Sequence, residues 1–388
     1  MNQSNKILLF YPHNFFEMSS GTHLRVHQLI TALWNKSFQV DLFSLEGFSN
    51  LWPESDRKRY TYGKLHIFPW DKEIGRRNRP RPGRERRLPD LTSEAMRREF
   101  RRFFANGGHD FVVVSYAFWT KLIDGITGVP RIIDLHDCIT LNEHQRFGRG
   151  QFTLGRMFQD EIQAIDRFDF ALSISEEESL FLQPFCNHAV FVNLAVYFPK
   201  RFSEIRDFKY DLLFVGSENP FNVEGLHWFF YKVYPLLPKC KIVVVGGVAD
   251  SIKDFPGLKK FPHIKNLAPI YQKSKIVICP LLGGTGLKVK VAEALSFGRP
   301  IVTTRWGLTG IAEKKDNGCL VADEASGFAD AIYRLSQDDA LLVQKEQEAC
   351  TFFEKKFSFG KFSRRLDLVF GNADSMEDDA DSCSISYG

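Results

Sequence analysis

GGTGLKVKVAEALSFGRPIVTT, residues 283–304, decides how the chain is read. The apolar run KIVICPL precedes it and PIVTT closes it, so a glycine turn and one helix lie between two strand-like runs. Leu287, Val291, Ala294 and Leu295 fall on one face of that helix, and Gly298 followed by Pro300 ends it. The glycines and lysines point to a phosphate cradle. An ATPase loop, however, requires Lys directly after the second of two glycines separated by four residues, then Ser or Thr, and that order is missing here. In open parallel sheets, ligands bind beyond the carboxyl ends of the strands, where helix starts present free N–H groups and a positive dipole. Lys290 and Glu293 lie about 60° apart around the helix, so one side offers both a cation and a carboxylate. A diphosphate at the helix start would meet N–H donors and lysine, and its ribose diol would meet the carboxylate a turn or two further on. The spacing suits a nucleotide sugar, and equally suits a solvated surface ion pair beside a plain glycine turn.

Outward from this segment, short β-branched and aromatic runs alternate with amphipathic stretches of helix length. One series is KILLFYP, FQVDLFSL, KLHIFPW, FVVVSY, RIIDLHD and FALSIS, with a helix over about residues 21–35. A second begins at YDLLFVGS (210–217) and continues through KIVVVGGV, KIVICPL, PIVTT and GCLVAD. The alternation predicts an α/β protein with parallel sheets covered by helices on both faces. At 388 residues the chain is long enough for two cores. YFPKRFSEIRDFK, polar and proline-interrupted, reads as a hinge. The expected division is therefore a first domain over 1–196, a linker over 197–209 and a second domain over 210–370. A charged helical pattern after Ala340 leads to FSRRLDLVF, a terminal helix expected to pack back on the first domain. Residues 371–388 carry little apolar content and read as a disordered acidic tail.

With 44% hydrophobic and 25% charged residues the composition is globular. No apolar run approaches the roughly 20 residues of a spanning helix, and MNQSNKILLFYP enters a strand without a basic leader, so a cytoplasmic location is expected. Seven scattered cysteines (138, 186, 240, 279, 319, 350 and 383) argue for reduced, buried thiols rather than disulfides or a metal site. The 37 phenylalanines read as core filling. The net charge of +4 conceals a dense cationic run, GRRNRPRPGRERR (75–87), whose proline and arginine content argues against a helix. It reads as a solvated loop, or as a peripheral contact with a phosphorylated lipid or the inner membrane face, worth about 1 kcal/mol per basic residue. Nucleic acid would use the same charge, but no aromatic-interleaved platform accompanies it.

Four segments taken together resemble the GT-B glycosyltransferases, in particular the glycosyl transferases group 1 (family 4-like) superfamily. PHNFFEMSSGTHLRVHQLITAL resembles the opening glycine loop and helix, and SISEEESLFL the Ser-Glu-rich segment closing the first domain. LLFVGSENPFNVEGLHWF and GTGLKVKVAEALSFGRPIVTT resemble the second-domain pattern. The resemblance implies two Rossmann-like domains facing a cleft, a nucleotide diphosphate sugar as donor, and neither cofactor nor metal. It assigns Glu293 to the donor ribose, Gly284, Thr285, Gly286, Lys288 and Lys290 to the phosphate side, and Gly21 to the first-domain loop near the phosphates and acceptor. His136, ending RIIDLHD beside Asp137, resembles the family histidine that touches the transferred sugar; a capping or core role is the alternative. Arg25, one turn into the first helix, would point into the cleft and neutralise a diphosphate or an anionic acceptor, or lie on the surface of an amphipathic helix.

Two departures stand out. Thr285 occupies the position of the first of two usual glutamates, and VGSENPFNVEG offers Ser217, Asn219 and Asn222 where Arg and Lys are usual. Lys288 or Lys290 is expected to supply the compensating charge, and His136 and Lys290 are the expected catalytic residues. The implied activity is sugar transfer to a hydroxyl of a glycan, lipid-linked, protein or small-molecule acceptor in cell-surface glycan or glycoconjugate synthesis, with retention of configuration. A non-catalytic nucleotide-sugar-binding partner subunit and a GT-B-fold sugar-nucleotide epimerase are the alternatives.

Overall fold

The computed structural model describes residues 5–371 apart from 19, 49–50, 78–85, 148–153, 203–205, 263 and 265. The acidic tail beyond residue 371, Cys383 and the centre of the cationic run therefore lie outside the described residues.

Two parallel sheets form. The first contains β1 (Lys6–Phe10), β2 (Gln39–Glu46), β3 (Leu65–Pro69), β4 (Phe111–Ser115), β5 (Arg131–Leu135), β6 (Phe170–Ser173) and β7 (Val190–Asn193), in the order β3-β2-β1-β4-β5-β6-β7. The second contains β8 (Tyr210–Val215), β9 (Ile242–Val245), β10 (Leu258–Phe261), β11 (Ser274–Cys279), β12 (Ile301–Thr303) and β13 (Cys319–Val321), in the order β10-β9-β8-β11-β12-β13. Inner strands such as FVVVS and IVVV are almost wholly apolar because helices cover both faces. Successive residues of one strand feed opposite cores: Leu8 and Phe10 pack on one side of the first sheet, Ile7 and Leu9 on the other. β7 and β10, which the strand pattern did not reveal, are edge strands of only four residues, VFVN and LKKF.

Strand order reverses between β1 and β4 in the first sheet and between β8 and β11 in the second. A crevice opens beyond the strand ends at each reversal. The loops after β1 and β5 thus face those after β8 and β11, which carry the residues singled out above.

The chain crosses between the sheets twice. Residues 194–202 and 206–208 form no helix or strand, and Phe198 N–H donates to Phe357 O at 3.1 Å where the return crossing begins. The last helix, Phe359–Phe370, then packs on the first domain as expected, its Phe362, Leu366, Val369 and Phe370 entering that core. Phe370 lies 5.3 Å from Phe111 and 6.0 Å from Phe38 between ring centroids, and Lys36 pairs with Asp367 at 2.8 Å.

Among the described cysteines, 138, 279 and 319 are buried free thiols, whereas 186, 240 and 350 are only partly covered. The cationic run begins inside a short helix, Lys72–Arg77, contrary to the reading that excluded a helix there. The prolines begin only at residue 80, after that helix. Its far end is tied down: Arg86 pairs with Glu143 at 2.7 Å and Arg87 with Asp160 at 2.5 Å. No helix among the described residues is long and apolar enough to cross a membrane.

Candidate active site

A cleft of about 1080 Å³ lies between the two sheets. Its second-domain wall is built on two loops. After β8, the Asn219 side chain caps the helix Pro220–Trp228 by accepting from Asn222 N–H at 2.9 Å. The Asn222 amide donates to Ser217 O at 2.8 Å and accepts from Lys290 Nζ at 2.6 Å. The Lys290 ammonium also sits 4.1 Å from the centre of the Phe214 ring, a cation–π distance. Burial pushes its pKa down to about 8.

After β11, the glycine turn leads into the helix Val289–Ser296, whose first N–H groups have no intrahelical acceptor. Glu293, half a helix further on, lines the cleft and accepts from Tyr271 O–H at 3.1 Å. Burial raises its pKa, opposed by the Tyr271 hydrogen bond and the positive charge of Arg201. Lys290 and Glu293 therefore form no surface ion pair; each is held by its own partner on the cleft wall. Lys288 differs from expectation in its aim. Its Nζ donates to Thr285 O at 2.6 Å and Gly286 O at 3.1 Å, so it folds the glycine loop as well as lining the cleft. Burial lowers its pKa.

The first-domain wall begins with the helix Gly21–Asn35, capped by Ser20 Oγ accepting from His23 N–H at 3.4 Å. Gly21 faces Val289, so two helix starts oppose each other across the cleft. A Cβ at Gly21 would lie 2.9 Å from Val289 Cγ2, too close for any side chain to be tolerated unmoved. Gly21→Ala is expected to prop the domains apart and lower turnover about tenfold or more. Val289→Ala in the same chain should restore most of it in a turnover assay.

His136 follows β5, buried, with its ring stacked on Tyr116 at 4.2 Å. Tyr116 holds φ +66°, a conformation a bulky residue adopts only when its surroundings enforce it. Nε2 of His136 lies 3.1 Å from Asp134 Oδ2 but out of hydrogen-bond alignment, and neither ring nitrogen has a hydrogen-bond partner. A buried imidazole lacking partners at a cleft wall is placed to meet a ligand.

Arg25 requires a correction. Its guanidinium does not reach the cleft but is buried against Asp134, with Nη2 to Oδ1 at 2.6 Å, and donates also to the Leu194 and Leu172 carbonyls. Its charge is consumed holding Asp134, whose carboxyl it keeps far below the usual range together with His136. Helical periodicity pointed Arg25 inward, but an acid 109 residues away was waiting there.

The structure also brings in residues that no motif marked. Gln145 Oε1 accepts from Gly284 N–H at 2.9 Å across the cleft. Arg201, from the crossing segment, lines the cleft near Glu293. Glu176 and Glu177 clasp the second domain: Glu177 accepts from Gly310 N–H at 2.7 Å and pairs with Lys314 at 2.6 Å, and Glu176 pairs with Lys356 at 3.0 Å. Their sequence signal was the acidic run EEE, but not its partners. Among the described residues, no group of three or more His, Cys, Asp and Glu side chains is placed to hold a metal ion.

Comparison with known proteins agrees with this architecture. Residues 209–338 match the family described as "Glycosyl transferases group 1". An uncharacterized 44.6 kDa protein in the cps region of Klebsiella pneumoniae is 26% identical over 219 residues, 50% of this chain and 54% of that protein. The chain spans about half the length of the curated relatives it matches. Sucrose-phosphate synthase from Thermosynechococcus elongatus superimposes with a TM-score of 0.69 at 14% identity, covering 94% of this chain and 98% of that one. Anabaena Alr3699/HepE in complex with UDP and glucose does so with a TM-score of 0.65 at 13% identity, with coverage of 94% and 98%. The chain carries the two-domain GT-B fold, and residues 209–338 of its second domain match the glycosyl transferases group 1 family.

Proposed function

We propose that this protein transfers a sugar from a nucleotide diphosphate sugar to an acceptor hydroxyl. The observation that carries the reading is the convergence of Lys290, the start of the helix Val289–Ser296 and Glu293 on one wall, with Gly21 and His136 opposite. The departing diphosphate gathers negative charge in the transition state. Fixed N–H groups and an ammonium already oriented by Asn222 stabilise that charge without reorganising. Glu293 receives the ribose hydroxyls, Ser217 and Asn222 border the nucleotide, and His136 hydrogen-bonds the transferred sugar. Gly284, Thr285, Gly286 and Lys288 shape the phosphate side of the pocket. Closure of the cleft excludes water, so the acceptor rather than solvent takes the sugar.

Two similar proteins guide the choice of substrates. The Klebsiella relative is encoded in a cps region, which favours a glycan-building acceptor, and the Anabaena neighbour was solved with UDP and glucose, which puts UDP-hexoses first among donors. The test incubates the purified protein with UDP, GDP, ADP, CMP and dTDP sugars and follows nucleotide release with and without membrane extract. Release of one nucleotide, accelerated by extract, is the expected result. Binding without release would replace the transferase reading by that of a non-catalytic partner subunit.

A further inference from the structure

One acidic group on the first-domain wall has no task in the reading above. Asp137 follows His136 after β5 and lines the cleft opposite the glycine loop. Its carboxylate is pressed so close to Gly286 that a Cβ there would collide with Oδ1, and Gly286 holds φ +69° besides. No side chain other than glycine's hydrogen leaves room for Asp137 at this point. Yet the carboxylate accepts no hydrogen bond from any described residue. Lys288, whose charge Asp137 feels, turns two of its three donors to the Thr285 and Gly286 carbonyls.

We propose that Asp137 is a donor-sugar-binding residue, its carboxylate accepting hydroxyl protons of the transferred sugar and so taking part in donor choice. The inference rests on the nucleotide-sugar reading of the cleft. With the diphosphate at the start of the helix Val289–Ser296, the sugar leaves the phosphates in the direction of the opposing wall, where His136 and Asp137 stand side by side. An ionised carboxylate is an acceptor only, with room for about four donors, and a pyranose offers hydroxyl donors and no charge. The surroundings leave this demand open. Burial pushes the Asp137 pKa up, as does the Glu161 carboxylate, and the neighbouring His136 and Lys288 only partly counter them. Glu178, packed beside it, is pushed up in turn by burial and by Asp137, and its Oε1 is buried without a partner. Two acids short of donors therefore flank the glycine loop, and Asp137 is the one of the pair that reaches the cleft.

The experiment measures the affinity of wild-type, Asp137→Asn and Asp137→Ala protein for matched pairs, UDP with UDP-glucose and GDP with GDP-mannose. For the pair the wild type binds, each variant should keep the nucleotide's affinity within about twofold and lose about tenfold or more on the nucleotide sugar, the effect of one or two hydrogen bonds to a charged acceptor. Unchanged nucleotide affinity also certifies the fold of each variant. An equal change on nucleotide and nucleotide sugar would overturn the proposal, because Asp137 would then act only on the charge of Lys288. No change on either overturns it too. A wild type that binds neither pair is carried to the matched pairs of ADP and dTDP, and binding none of them overturns the nucleotide-sugar reading itself, and the Asp137 proposal with it.

Discussion

Lys290→Met is expected to make the protein harder to unfold and nearly inactive. The wild-type ammonium is held in a pocket that lowers its pKa to about 8, so the folded state disfavours its charge. The unfolded chain, with a lysine near pKa 10.4, keeps a proton that the folded protein surrenders between about pH 8 and 10.4. Stability therefore rises with pH across that window in the wild type, and the rise disappears in the variant. Methionine fills the same volume without the desolvation cost, so its thermal midpoint at neutral pH should increase. Turnover should fall about 100- to 1,000-fold, the usual effect of removing one fixed donor from developing negative charge. The pH profile gives a second signature. Diphosphate affinity of the wild type is full below about pH 8 and declines as Lys290 loses its proton above it. A variant with unchanged stability and unchanged turnover would remove Lys290 from the site.

Arg25→Ala should cost about 3–5 kcal/mol of folding stability, the range found when one partner of a buried ion pair is removed. Asp134 would be left ionised, fully buried and deprived of the two guanidinium contacts it now receives at 2.9 and 2.6 Å. The Leu194 carbonyl would lose its donor as well. Urea unfolding checks the magnitude, and Arg25→Ala combined with Asp134→Asn should be less destabilised than the sum of the single changes. Protein that remains folded should bind donor nearly as well as wild type. Loss of donor binding without loss of stability would return Arg25 to the cleft role that its helical position first indicated.

The contrast between Arg25 and Lys290 shows what a chain discloses before it folds. Strand runs such as KIVICPL and FVVVS, the helix over 21–35 and the stop at Gly298 and Pro300 were legible because periodicity and punctuation are local. The terminal helix was legible for the same reason, and it packs on the first core as anticipated. Edge strands β7 and β10 escaped because four residues with polar members carry no period. The loop 283–286 was legible as a glycine turn before a helix, but not the use of Lys288, which folds back on its own loop. Partnerships across 109 residues for Arg25, 68 for Lys290 and 139 for Gln145 lie beyond any local pattern. Those partners decide whether a charged side chain is free for a ligand or already committed. Asp137 stood beside His136 in the sequence, yet its closeness to Gly286 exists only once the two domains face each other.

The central claim is that the second-domain wall grips a nucleotide diphosphate sugar through Lys290 and Glu293. Calorimetric titration of the wild type and Glu293→Ala with UDP, GDP, ADP, CMP and dTDP sugars tests it most directly. The wild type is expected to bind the sugars of one nucleotide class, and Glu293→Ala to bind them about 10- to 100-fold more weakly while its melting curve stays cooperative. No binding by the wild type, or equal binding by the variant, would contradict it.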